Sequence, residues 1–66
     1  MNIVRISNEI ASRNGRITSQ NDEGTVVRIR FPWVNKAGGF YDVMVSAGVK
    51  AEWSFQINPT DVVIYL

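Results

Sequence analysis

The sequence predicts a mainly β fold, a small five-stranded antiparallel barrel, and three observations predict it. Val, Ile, Thr and aromatic residues are dense from Thr25 onward. Three successive stretches there alternate apolar with polar residues at the two-residue period of a strand. Turn-forming residues separate those stretches. With 66 residues there is room for one core, so the expectation is a single domain spanning residues 1–66.

The first 24 residues are the least decided. Ile3–Ile6 reads as a short strand. Asn14-Gly15 has two readings: a two-residue hairpin turn, or the end of one or two helical turns over Asn8–Arg13 with Gly15 near the C-terminal cap. The hairpin would set Arg13 directly across from Arg16, a like-charge clash, which favours the helical turn. Asn21-Asp22-Glu23-Gly24 is turn chemistry, which makes Arg16–Gln20 a strand entering a meander.

In Thr25–Phe31, Val27, Ile29 and Phe31 share one face, while Val26, Arg28 and Arg30 share the other. Tyr41, Val43 and Val45 form the apolar side of Phe40–Ser46, and Trp53, Phe55 and Ile57 that of Glu52–Ile57. Pairing Ile29 with Tyr41 and Val27 with Val43 keeps the apolar residues together, whereas a one-residue slip would split them between faces. That register sets Arg28 opposite Asp42 and Arg30 opposite Phe40, with Pro32 to Gly39 as the connection. Further turns are expected near Gly48-Val49-Lys50 and at Asn58-Pro59-Thr60-Asp61, the latter suited to a type I or single 3₁₀ turn. Val62–Leu66 closes the chain as a short final strand.

The succession Trp53, Phe55, Ile57, Pro59, Asp61, Val62 and Leu66 resembles the closing stretch of SH3-like domains, where an apolar residue, a proline-led turn and a valine strand follow one another. The resemblance covers the last third of the chain and implies the barrel only. The acidic-aromatic opening motif and paired tryptophans of peptide-binding SH3 domains are missing, so recognition of proline-rich peptides is not implied. An OB-like barrel is the alternative architecture, though five long strands would be tight in this length.

Composition narrows the chemistry. There is no Cys and no His, which removes the usual general base, thiolate nucleophile and transition-metal ligands. The carboxylates Glu9, Asp22, Glu23, Asp42, Glu52 and Asp61 are scattered through turns and strand ends, and Gly24, Gly38 and Gly39 form no phosphate-binding motif. The expectation is a non-enzymatic protein with no cofactor, no metal and no small-molecule substrate. No apolar run approaches the ~20 residues of a membrane helix, and Met1–Arg5 does not read as a signal peptide, so a cytoplasmic setting without membrane contact is expected. The hydrophobic fraction of 45% and charged fraction of 20% are globular values.

Two surfaces stand out. Arg28 and Arg30 form a short basic strip, with Trp33, Lys36 and Phe40 near it in sequence; aromatic groups beside such a strip stack on bases or pack on a partner. The bland counterpart is concrete: Arg28 pairs with Asp42, Arg30 lies over Phe40, and Trp33 plugs a barrel end. The second surface is Val62, Val63, Ile64, Tyr65 and Leu66, apolar on both faces. Such a strand needs cover on both sides, supplied by a second copy through edge pairing or by Ile6 and Ile10 folding over it. The aromatic pair Trp53 and Phe55 is assigned to the core.

The function expected is therefore a binding module acting through protein contact or self-assembly as a homo-oligomer. Its short form suits an accessory protein of a phage or mobile element. The alternative is single-stranded nucleic-acid binding through Arg28, Arg30, Lys36 and Trp33. A net charge of +1 argues against wrapping duplex DNA by charge alone.

Overall fold

The computed structural model describes residues 1–66 as two helices on one face of a four-stranded antiparallel sheet. Helix α1 (Ile3–Ser12) is followed by strands β1 (Arg16–Gln20) and β2 (Val26–Arg30), helix α2 (Val34–Ser46), and strands β3 (Lys50–Glu52) and β4 (Asp61–Tyr65). The strand order is β1-β2-β4-β3. The sheet is open, with β1 and β3 at its edges, so neither the SH3-like barrel nor the OB-like one is formed.

Helix α1 occupies the segment divided above between a strand and a helical turn. Asn2 caps it, its side-chain oxygen accepting from Arg5 N–H at 2.9 Å. Ile3, Ile6 and Ile10 recur at helical spacing, and Ile6 and Ile10 are buried. The helix ends in a Schellman pattern: Asn14 takes the left-handed conformation at φ 56°, and the N–H groups of Gly15 and Asn14 return to the carbonyls of Ile10 and Ala11. Asn14-Gly15 is thus a helix stop and not a hairpin turn. A side chain at residue 15 would stand 2.5 Å from the ring of Phe31, so glycine lets α1 seat against the end of β2.

The β1–β2 hairpin forms where the sequence places it. Asn21 organises its tip, the side-chain oxygen accepting from Thr25 and Val26 N–H at 2.8 and 3.0 Å. A bulge between Ile17 and Ser19 interrupts the pairing of β1. The faces of β2 are as its alternation requires: Val27, Ile29 and Phe31 buried, Arg28 and Arg30 exposed.

Phe40–Ser46 is not a strand but the last half of α2. The alternation of Tyr41, Val43 and Val45 fits a strand, yet Ala37, Phe40 and Met44 recur at three and four residues, and all three are fully buried. Burial of Phe40 against Phe31, ring centroids 5.0 Å apart, selects the helix. The register of Ile29 with Tyr41 and Val27 with Val43 therefore does not exist. Instead β2 pairs with β4, Val27 opposite Ile64 and Ile29 opposite Val62. Gly48 at φ 81° ends α2, with Val49 N–H returning to the Met44 carbonyl.

The strand expected over Glu52–Ile57 stops at Glu52, and the core assignment of its aromatic pair holds only in part. Trp53 is half-buried against Gly38 and Tyr41, its indole N–H donating to the Pro59 carbonyl at 2.8 Å. Phe55 and Ile57 are 56% and 78% exposed in the following loop. A continuing strand would have forfeited that indole contact. The core is Ile6, Ile10, Ala37, Phe40 and Met44 of the helices packed on Val27, Ile29, Phe31, Val62 and Ile64. No helix is long and apolar enough to cross a membrane.

Candidate functional site

Directly opposed residues on antiparallel neighbours point the same way, so the pairing assigns each strand residue to a face. Val27, Ile29, Val62, Ile64, Ala51 and Ile17 point toward the helices. Arg16, Arg28, Arg30, Asp61, Val63, Tyr65, Lys50 and Glu52 share the opposite face, which no helix covers.

That face is electrically distinct. It holds four of the seven basic residues and only Glu52 and Asp61 of the six acidic ones. The rest of the chain carries Arg5, Arg13 and Lys36 against Glu9, Asp22, Glu23 and Asp42. A nearly neutral protein thus concentrates its positive surplus on one side of the sheet.

Asp61 orders that charge. It is 5% exposed although it opens β4, and it stands opposite Arg30 in the pairing. Arg30 Nε donates to Asp61 Oδ1 at 2.8 Å and Arg30 Nη2 to Oδ2 at 3.2 Å, a two-point clamp. Arg28 Nη1 donates to the same Oδ2 at 3.3 Å. Hydrogen bonding from Arg30 holds the Asp61 carboxyl below the ordinary carboxylate range, against the opposing effect of burial, and Arg28 adds to the lowering. Two guanidiniums share one carboxylate, so one positive charge stays unbalanced and the remaining N–H groups are available to a ligand. Arg16, opposite Arg30 on β1, forms an ion pair with no carboxylate.

At the far side of the same face, Tyr65 donates its hydroxyl to Glu52 at 2.6 Å. That bond to the neighbouring carboxylate pushes the phenol up from its ordinary value. The Arg16–Arg30 end borders a shallow depression of about 580 Å³ lined by Asn14, Gly15, Arg16, Arg30, Phe31 and Pro32. No cluster of three metal-ligating side chains exists, and every buried side-chain polar atom has a hydrogen-bond partner.

The residues singled out from sequence are dispersed among these features. Arg28 and Arg30 do share a solvent-facing strip, but their partner is Asp61, not Asp42, which lies exposed on α2. Phe40 is fully buried and belongs to no surface. Trp33 is 66% exposed at the N-cap of α2, so it plugs nothing, and Lys36 is half-buried one turn on. Val62 and Ile64 enter the core while Val63 and Tyr65 lie half-buried on the uncovered face, with Leu66 exposed beyond. Because β4 is hydrogen-bonded on both sides, it has no free edge for a second copy to pair with. Ile6 and Ile10 cover its inner side, as one of the two sequence readings supposed.

Arg16 and Asp61 are the residues that sequence reasoning missed. No plain count back from the Asn21–Gly24 turn reaches Arg16's partner: Gln20 stands opposite Val27, and only the bulge between Ile17 and Ser19 brings Arg16 level with Arg30. Asp61 was read as the last residue of a turn, and only the pairing of β2 with β4 reveals it as the arginines' partner. Comparison with protein-family models, with curated proteins and with solved structures finds no match.

Proposed function

We propose that this chain is a non-enzymatic nucleic-acid-binding domain that receives the phosphate backbone on the uncovered face of its sheet, through Arg16, Arg28 and Arg30. The observation that carries the reading is the segregation of charge: three arginines at one end of an open face, two of them held in place by a shared, buried carboxylate. Guanidiniums fixed in this way lose little side-chain entropy when they meet a phosphate oxygen and present planar pairs of donors. A cysteine-free chain of this kind suits a cytoplasmic setting.

The test is fluorescence anisotropy with labelled mixed-sequence DNA and RNA at low salt. Binding that weakens steeply with added salt, and that is lost on replacing Arg16 and Arg30 together by alanine, supports the reading. Absence of binding to both nucleic acids at low salt ends it.

A second reading, docking on a protein or on another copy of the chain, draws on a different region. A groove of about 240 Å³ between α1 and the hairpin is lined by Ile3, Ile17 and Leu66, all substantially exposed, above Ile10 and Val27. Sedimentation across micromolar concentrations tests self-association; a monomer throughout removes that branch.

A further inference from the structure

Resting on the nucleic-acid reading above, we infer that the preferred ligand is a single strand, with one unpaired base stacked on Trp33 while its flanking phosphates lie on Arg16 and Arg30. The two tryptophans of this chain are used in opposite ways. Trp53 is packed on α2 and its N–H is bonded to Pro59. Trp33 is 66% exposed and makes no side-chain cap bond to the helix it opens. Helix starts favour Ser, Thr, Asp or Asn at that position, so an indole there serves neither the cap nor the core.

Its place in the chain gives it a use. Arg30, Phe31, Pro32 and Trp33 run consecutively, so the Cα atoms of Arg30 and Trp33 are at most about 11 Å apart. Phe31 is buried, and its N–H donates to the Thr60 carbonyl at 2.8 Å, which anchors the run at its middle. The depression between Arg16 and Arg30 reaches Pro32, the residue before Trp33. Two cationic donors thus border one concavity at the end of the sheet, and the exposed indole follows Arg30 three residues on, directly after the Pro32 that lines that concavity. An indole stacks on any base whose flat side is free, whereas in a duplex those sides are already covered by neighbouring bases.

The experiment titrates the intact chain with a short oligothymidylate and, separately, with a mixed-sequence duplex, reading tryptophan emission and anisotropy of labelled strands. Trp33→Ala and Trp33→Tyr are compared with the unmodified chain after thermal melting shows both fold. The expected result is tighter binding of oligothymidylate than of duplex, with quenched emission. Trp33→Ala should weaken oligothymidylate binding by about fivefold to a hundredfold, with recovery in Trp33→Tyr. Unchanged binding in Trp33→Ala, or a preference for duplex, overturns the single-strand inference and leaves the phosphate-binding reading standing. No binding of either nucleic acid overturns both, as does selective binding to phosphatidylserine vesicles instead.

Discussion

The two faces of the sheet use the same four strands for opposite ends. On the inner face Val27, Ile29, Val62 and Ile64 are almost wholly buried beneath Ile6, Ile10, Ala37, Phe40 and Met44. On the outer face the residues alternating with them are Arg28, Arg30, Asp61, Val63 and Tyr65, which meet no helix. The inner face is held by packing and tolerates little change of shape. The outer face is held by a few charge-assisted hydrogen bonds, whose geometry leaves donors free. The difference teaches where most of the stability and the binding are located: the largest losses of stability should come from the inner face, and changes in binding from the outer one.

The largest effect should come from the inner face. Phe40→Ala removes a fully buried ring that stacks on Phe31, and urea denaturation should read a loss of about 3–5 kcal/mol. A loss below about 1 kcal/mol would mean that α2 does not close the core as described.

A smaller effect separates two adjacent glycines of α2. A Cβ on Gly38 would stand 2.7 Å from the indole of Trp53, which its bond to Pro59 restrains. On Gly39 the nearest group is the Arg13 side chain at 3.6 Å, ordinary contact. Gly38→Ala should destabilise by about 1–2 kcal/mol through overpacking, whereas Gly39→Ala should stabilise by up to about 1 kcal/mol through helix propensity. Thermal melting of the two variants reads the signs, and equal signs would contradict the packing of Trp53.

On the outer face, Asp61 links stability to pH. Its folded-state pKa is lowered by Arg30, so the stabilisation is present in full above its unfolded pKa of ~3.9 and is lost as pH falls through the lower folded value. Urea midpoints of the unmodified chain and of Asp61→Asn should differ most near neutrality and converge as the solution is acidified below pH ~4. A difference that stays constant with pH would show that the carboxylate contributes by shape and not by charge.

How much of this was legible in the sequence depended on whether one periodicity stood alone. In β2 the alternation from Val26 to Arg30 had no helical rival, and the faces it assigned are the faces observed. In residues 34–46 the strand pattern of Tyr41, Val43 and Val45 coexisted with the helical pattern of Ala37, Phe40 and Met44. Gly38-Gly39 imitated a turn, and Trp33 gave no helix-start signal. Trp53, Phe55 and Ile57 alternated perfectly, yet Trp53 is held by Gly38, Tyr41 and Pro59, Phe55 lies edge-on to it in an exposed loop, and Ile57 stays in solvent. The basic strip survived this error because it lay wholly within β2. Its completion by Arg16 and Asp61 required the neighbours of β2, and the pairing with β4 joins residues more than thirty positions apart, as the Arg30–Asp61 bond shows.

The most direct measurement is the salt dependence of oligothymidylate affinity for the unmodified chain and for the Arg16→Ala/Arg30→Ala variant. If the outer face seats a phosphate backbone, log affinity falls linearly with log salt, and the variant's slope is shallower by about 0.7 for each phosphate contact removed, while its melting temperature, lowered by loss of the Arg30 clamp on Asp61, still lies above the temperature of the titration. Identical slopes for the two proteins would contradict the account, because these arginines would then take no part in holding the phosphate backbone.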